Sequence, residues 1–214
     1  MSDQVVDVDA ADGPGAGDDV PPPVFVRRHT GAYIEMLVSS ILSLTASLVL
    51  SVEAWLLAQD PGAIFSCDIN TKISCGTVAE SWQATLLGFP NAFLGLIFEP
   101  IVITLAVASL GGVRFPRWFM LGAQGLYTIA IAFAYWLFLQ AYFVIGALCP
   151  WCLLVTAATT LVWASMFRVN ILDGHIRFGS AQPTVVRALR LGVDTGVVLI
   201  VLAIIAAMVA YRYL

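Results

Sequence analysis

Two cysteines separated by two residues, in the run Cys149-Pro150-Trp151-Cys152, carry the most definite chemistry in this 214-residue chain. Sulfurs at that spacing close a strained, exchangeable bridge, and a thiol at a helix start is favoured as the thiolate, the nucleophile of disulfide exchange. Pro150 suits the first turn of a helix. Cys149 is therefore expected to be the more reactive thiol, with Cys152 one turn deeper. The remaining cysteines, Cys67 and Cys75, lie eight residues apart, free to bridge each other or to swing toward Cys149. Exchange passes two electrons through a mixed disulfide, so two pairs suggest a relay. In it, a mobile exposed pair collects electrons from a soluble protein and hands them to a fixed pair at a membrane surface.

Two other readings compete. A pair of structural disulfides accounts for an even cysteine count, but a bridge over two residues adds little rigidity to a helix. A four-cysteine zinc site needs two close pairs spaced by about two to four residues, whereas seven residues intervene between Cys67 and Cys75. No metal site is expected.

The elements that position these cysteines are membrane helices. The chain is 60% hydrophobic and only 11% charged, with a mean hydropathy of +0.90, against roughly a quarter charged residues in a soluble domain. Its net charge of -4 misleads, because Asp3, Asp7, Asp9, Asp12, Asp18 and Asp19 crowd into the first nineteen residues. Residues 1–30 read as a disordered acidic tail with no catalytic role. Residues 1–23 lack the basic start and short apolar run of a cleavable signal, so the first hydrophobic segment is expected to remain as an anchor. Five spans follow, at about 33–58, 91–110, 118–141, 147–167 and 191–212. The third and fourth come from one uncharged run of fifty residues, Trp118 to Phe167. As a single helix that run would be about 75 Å long, more than twice a bilayer core. The break is expected between Gly146 and Pro150.

Sidedness follows from the basic residues, since cytoplasmic loops are enriched in Lys and Arg. With five alternating spans, Arg27, Arg28, Arg114, Arg117, Arg168, Arg177, Arg187 and Arg190 share one side, and only Lys72 and Arg212 fall on the other. The N-terminus is then cytoplasmic. The 59–90 loop and the turn before Cys149 face outward, so all four cysteines lie where disulfides persist. Basic residues spread over three segments as topogenic signals give no indication of nucleic-acid binding.

With those residues in place, the chain resembles the vitamin K epoxide reductase family, in its bacterial, actinobacterial-type branch that drives disulfide formation in exported proteins. The resemblance rests on Cys67 and Cys75 eight apart, Ser81 six residues later, Pro90-Asn91-Ala92-Phe93-Leu94-Gly95 opening the second span, and Cys149-Pro150-Trp151-Cys152 opening the fourth. It implies an all-α membrane fold, a four-helix bundle around a quinone, with the fifth span peripheral. It also implies roles: Cys152 faces the quinone, Cys149 exchanges with Cys75, and Cys67 meets the protein substrate. Asn91 matches the family's asparagine that donates to a quinone carbonyl, and Ser81 a loop serine that supports the cysteine geometry. The cofactor implied is menaquinone or ubiquinone. The setting implied is a bacterial inner membrane.

Two departures qualify the likeness. Vertebrate members carry a tyrosine four residues after the second membrane cysteine, where this chain has Thr156, so native epoxide reduction is not expected. Some members continue into a fused thioredoxin-like domain, whereas this chain ends at Leu214. A separate exported thioredoxin-like protein is therefore the expected electron donor. The competing functions are a thiol-driven reductase of quinones or their epoxides, and a non-catalytic scaffold held by structural disulfides.

Among other residues, Trp82, Leu86, Leu87 and Phe89 form a short amphipathic stretch suited to roofing a quinone pocket or anchoring at the interface. Glu99, about 13 Å into the second span, is a proton-carrier candidate. It is set against the simpler reading of a neutral acid satisfied by carbonyls that Pro100 leaves free. His29 and His175 are expected to be solvated or lipid-facing.

Overall fold

A computed structural model describes residues 24–213, with side chains from His29 onward. Most of the expected acidic tail, residues 1–23, lies outside the described residues, and the first helix begins at Val24 rather than after residue 30. The helices are α1 (Val24–Gln59), α2 (Cys75–Ala79), α3 (Ala92–Leu110), α4 (Arg117–Gln140), α5 (Pro150–Leu172), α6 (Gln182–Arg190) and α7 (Val193–Tyr213). Among the described residues, five stretches are long and apolar enough to cross a bilayer: His29–Gln59, Ala92–Leu110, Arg117–Ile145, Pro150–Leu172 and Val193–Tyr213. The chain is an all-α, multi-pass membrane protein.

Local chemistry sets the helix ends that matter for the site. Beyond α1, Pro61 has no N–H to continue the ladder, and Asp60 Oδ1 accepts from Gly62 N at 2.9 Å in a side-chain-closed turn. The last turn of α4 widens into a π-turn over Ala141–Ile145. Gly146, at φ 76°, then takes a left-handed conformation that few other residues tolerate and stops the helix. Three residues later Cys149 caps α5, with Pro150 in its first turn.

Helix α1 packs along both α3 and α5, and α4 packs on α5. A Cβ on Gly95 would fall on the Ser47 side chain, so α1 and α3 approach as closely as they do because position 95 has none. Met36, Leu105, Met120, Val162 and Met166 fill the bundle at the end away from the cysteines. Toward the cysteines α3 and α4 stand apart around a cavity. Helix α7 lies to one side, touching α5 and α6, with Tyr213 edge-on to Tyr142 at 5.9 Å. Apart from Tyr213 at its end its residues are not buried, with Ile205, Met208 and Val209 packing only partly against the chain, as suits a peripheral helix in lipid.

The polar segment after α5 holds a helix that the sequence reading left as connection. Helix α6 has a proline in its first turn and Arg187 and Arg190 in its last, both favourable to a helix. The histidine expectation is corrected. His29 is buried and pairs with Asp173 at 3.2 Å, while His175 Nδ1 lies 3.1 Å from Asn170 Oδ1. Asp173, at the far end of α5, holds the His29 ring and is invisible as a partner in sequence, whereas His175 is held by an asparagine only five residues before it.

Candidate redox site

All four cysteines meet at one end of the bundle. Cys67 and Cys75 are joined as a disulfide, and Cys149 and Cys152 are free. The sulfurs of Cys75 and Cys149 lie 3.4 Å apart. A thiolate on Cys149 at that distance is placed to attack Cys75 and expel Cys67, and the reverse exchange runs through the same three sulfurs. Because Cys67 and Cys75 are bonded to each other, they offer no thiolate pair to a metal.

Backbone pairing brings the two pairs together. Ser74 N donates to Leu148 O at 3.0 Å and Leu148 N donates to Lys72 O at 2.9 Å, clamping the loop against the segment that enters α5. Immediately after the clamp, each segment delivers a cysteine: Cys75 opening α2 and Cys149 capping α5. Asp68 ties the loop from inside. Its Oδ1 accepts from Gly76 N at 3.0 Å and from Ser74 Oγ at 2.7 Å, and its Oδ2 accepts from Phe65 N at 2.8 Å. Partial burial alone would raise this carboxyl, but the hydrogen bonds from Gly76, Phe65, Ser74 and Cys75 together hold it below its ordinary value.

The α5 start tunes Cys149. Its sulfur accepts from Cys152 N at 3.2 Å. The thiol is pulled below its ordinary value, first by the hydrogen bond from the Cys152 side chain and further by the backbone N–H groups of Cys152 and Trp151, against an opposing effect of burial. The loop pair is not exposed in this state, contrary to the sequence expectation. Cys67 and Cys75 are both buried, in a cluster with Phe65 and Cys149. Glu53, which the sequence analysis did not single out, also reaches this cluster. Its Oε1 lies 3.3 Å from Cys67 Sγ, and its Oε2 is buried without a protein partner. Its position in an apolar span, nearly two helical turns short of the end of α1, was the available signal.

Beneath the cysteines lies a predominantly apolar cavity of about 670 Å³, walled by α1, α3, α4 and α5. Cys152, Asn91, Ser81 and Thr156 line it. Asn91 Nδ2 donates to Gln83 O at 2.6 Å, which leaves one amide hydrogen, and its Oδ1 has no protein partner. Ser81 Oγ donates to Val78 O at 2.6 Å and so secures the last turn of α2, the helix that Cys75 opens. Thr156 Oγ1 donates to Cys152 O at 2.9 Å. Leu86 and Leu87 contribute to the cavity roof, while Trp82 is exposed and meets Trp136 edge-on at 6.2 Å. An apolar chamber of this size, with a few polar groups at one end beside a reactive thiol, fits a quinone head group.

The family model for the vitamin K epoxide reductase family matches residues 34–167, a stretch that includes every cysteine and the four cavity helices. The chain belongs to the vitamin K epoxide reductase family. Membership brings with it membrane thiol–disulfide oxidoreductase and quinone-reducing chemistry. Quinone or vitamin K is the family's electron partner, and thiol redox partners supply the other side. Helices α6 and α7 lie beyond the matched stretch. No individual curated protein matches the chain.

Proposed function

We propose that this vitamin K epoxide reductase family protein oxidises the dithiol of an exported thioredoxin-like carrier. Electrons pass through Cys67/Cys75 and Cys149/Cys152 to a membrane quinone, menaquinone or ubiquinone, and so support disulfide formation in exported proteins. The carrying observation is the 3.4 Å approach of Cys75 to Cys149, a free thiol against a closed disulfide. The setting is a bacterial inner membrane. The eight arginines on one side against Lys72 and Arg212 on the other support a cytoplasmic N-terminus with the cysteines outside.

A carrier thiolate attacks Cys67, Cys75 leaves, and the carrier's second thiol closes its own disulfide. Because Cys67 is buried, this step requires the 59–90 loop to lift. Glu53 holds or receives the Cys67 proton. The Cys75 thiolate then opens the Cys149–Cys152 disulfide at Cys149, and Cys67 closes on Cys75. The result is a loop disulfide above a reduced membrane pair, the arrangement described above. Quinone supplies an acceptor for two electrons and two protons. Asn91 would hold a quinone carbonyl with its remaining amide hydrogen, Cys152 would face the ring, and Ser81 keeps α2 in place. Thr156, in place of a tyrosine, sets the reading apart from epoxide reduction.

The test is anaerobic reoxidation of a reduced thioredoxin-like carrier by the purified chain, with and without added quinone. Turnover should require quinone, vanish in Cys152→Ala, and show a KM for quinone raised about tenfold in Asn91→Ala, the loss of one hydrogen bond. Carrier oxidation that proceeds equally without quinone, or in Cys152→Ala, overturns the proposal.

A further inference from the structure

Among the described residues, Glu99 is the one carboxyl on the cavity wall, and the proposed exchange does not use it. It is nearly inaccessible, lines the cavity from α3, and accepts a hydrogen bond from Tyr127 OH on α4 at 3.0 Å. The hydroxyls of Ser40 and Ser43 on α1 stand beside it, and both are buried without a partner at hydrogen-bonding length. The groups facing the carboxyl are thus neutral. It lies eight residues along α3 from Asn91, about 12 Å farther from the cysteine end. An acid at such depth is costly to bury and is by default a functional candidate.

Behind Glu99 the polar groups continue toward the opposite face. Gln124 sits on α4 one turn from Tyr127, and its Oε1 accepts from Asn170 Nδ2 at 3.1 Å. Asn170 Oδ1 in turn meets His175 Nδ1 at 3.1 Å, close to the His29–Asp173 pair. Asn170 is fully buried, and Gln124 Nε2 is buried with no protein partner. Amide side chains order water rather than relay protons themselves. A buried donor without a partner, as Gln124 Nε2 is, is what a bridging water binds. The packing around them is otherwise apolar, with Met120, Val162 and Met166 among the neighbours in the same half of the bundle.

We propose that Glu99 delivers protons for quinone reduction and is reloaded from the face opposite the cysteines, along His175, Asn170, Gln124 and Tyr127. The inference rests on the quinone reading above and deepens it. The balance is straightforward. Closing the Cys149–Cys152 disulfide forms one S–S bond and releases two electrons and two protons, the protons leaving at the cysteine face. Quinone reduction consumes two electrons and two protons. Glu99 breaks its O–H bond to supply each proton and regains one from the opposite face each time. Turnover therefore moves net positive charge out of that compartment while electrons enter from the other.

The experiment uses the full chain in sealed liposomes containing ubiquinone-1 and a trapped pH dye. Reduced thioredoxin is added outside, so that only molecules with outward cysteines turn over. The lumen should become alkaline during turnover, by about two protons per quinone reduced. Glu99→Gln should abolish the alkalinisation and slow quinone reduction by at least about tenfold, while formation of the Cys75–Cys149 link without quinone stays unchanged. Glu99→Asp should restore part of both, and Tyr127→Phe should reduce both in a chain that keeps the carboxyl. Redox-difference infrared spectra should show a protonated-carboxyl band that is lost in Glu99→Gln. Wild-type turnover with no lumen pH change, or alkalinisation preserved in Glu99→Gln, overturns the proton path and leaves the quinone reading standing. Absence of quinone reduction by the wild-type chain overturns both.

Discussion

The Sγ atoms of Cys75 and Cys149, seventy-four residues apart in sequence, lie 3.4 Å apart, with Cys75 already bonded to Cys67. That contact selects one exchange among those that four cysteines permit. Cys149 exchanges with Cys75, and Cys67 is the sulfur that Cys75 gives up or takes back.

The first prediction tests that selection. A chain carrying Cys67→Ala and Cys152→Ala leaves Cys75 and Cys149 as the remaining thiols, already adjacent. It should accumulate a Cys75–Cys149 disulfide under mild oxidation, identified by mass spectrometry of a non-reduced digest. The complementary pair, Cys75→Ala with Cys152→Ala, should give little Cys67–Cys149 linkage.

The second concerns pH. The Cys149 thiol is held below its ordinary value of 9.0, chiefly by the Cys152 side chain. Its thiolate, and with it the rate of attack on a small thiosulfonate reagent, should therefore develop at lower pH than for a free cysteine and level off above that midpoint. Cys152→Ala removes the largest cause. Its rate profile should move up in pH, toward the ordinary thiol, and an unmoved profile would contradict the assignment.

The third concerns Asp68. Its folded-state value lies below the ordinary 3.8 because the loop donates to the carboxylate. The stability it adds is therefore fully present above about pH 4 and is lost as pH falls through the lower folded value. Reduction of the Cys67–Cys75 bridge by a phosphine reductant should accelerate on acidification through that window. In Asp68→Asn the bridge should be reduced faster at neutral pH, with the acid-dependent step gone.

The fourth concerns the bundle. Gly95→Ala places a Cβ on Ser47, so α1 and α3 must separate. A loss of about 1–3 kcal/mol is expected from overpacking, read as a lowered Tm in detergent. Ser47→Gly in the same chain should recover much of it, because the side chain that collides is then absent. Equal loss in the single and double variants would refute the contact.

The sequence by itself determined the medium, the number of spans and the cysteine pairs. Hydrophobic length against bilayer thickness is local arithmetic, and Gly146, Cys149 and Pro150 mark a helix break by their own backbone preferences. It also flagged Glu99, since a carboxyl within an apolar span stands out in one dimension. Tertiary structure decided the rest. The Ser74–Leu148 clamp that sets Cys75 against Cys149 is a pairing of backbones with no residue signature. The burial of Cys67 beside Glu53, the His29–Asp173 pair, and the alignment of Tyr127, Gln124 and Asn170 behind Glu99 join residues far apart in the chain. Such contacts depend on how helices rotate and cross. Those angles are set by packing across the whole bundle, where a single glycine at position 95 fixes how closely α1 and α3 approach.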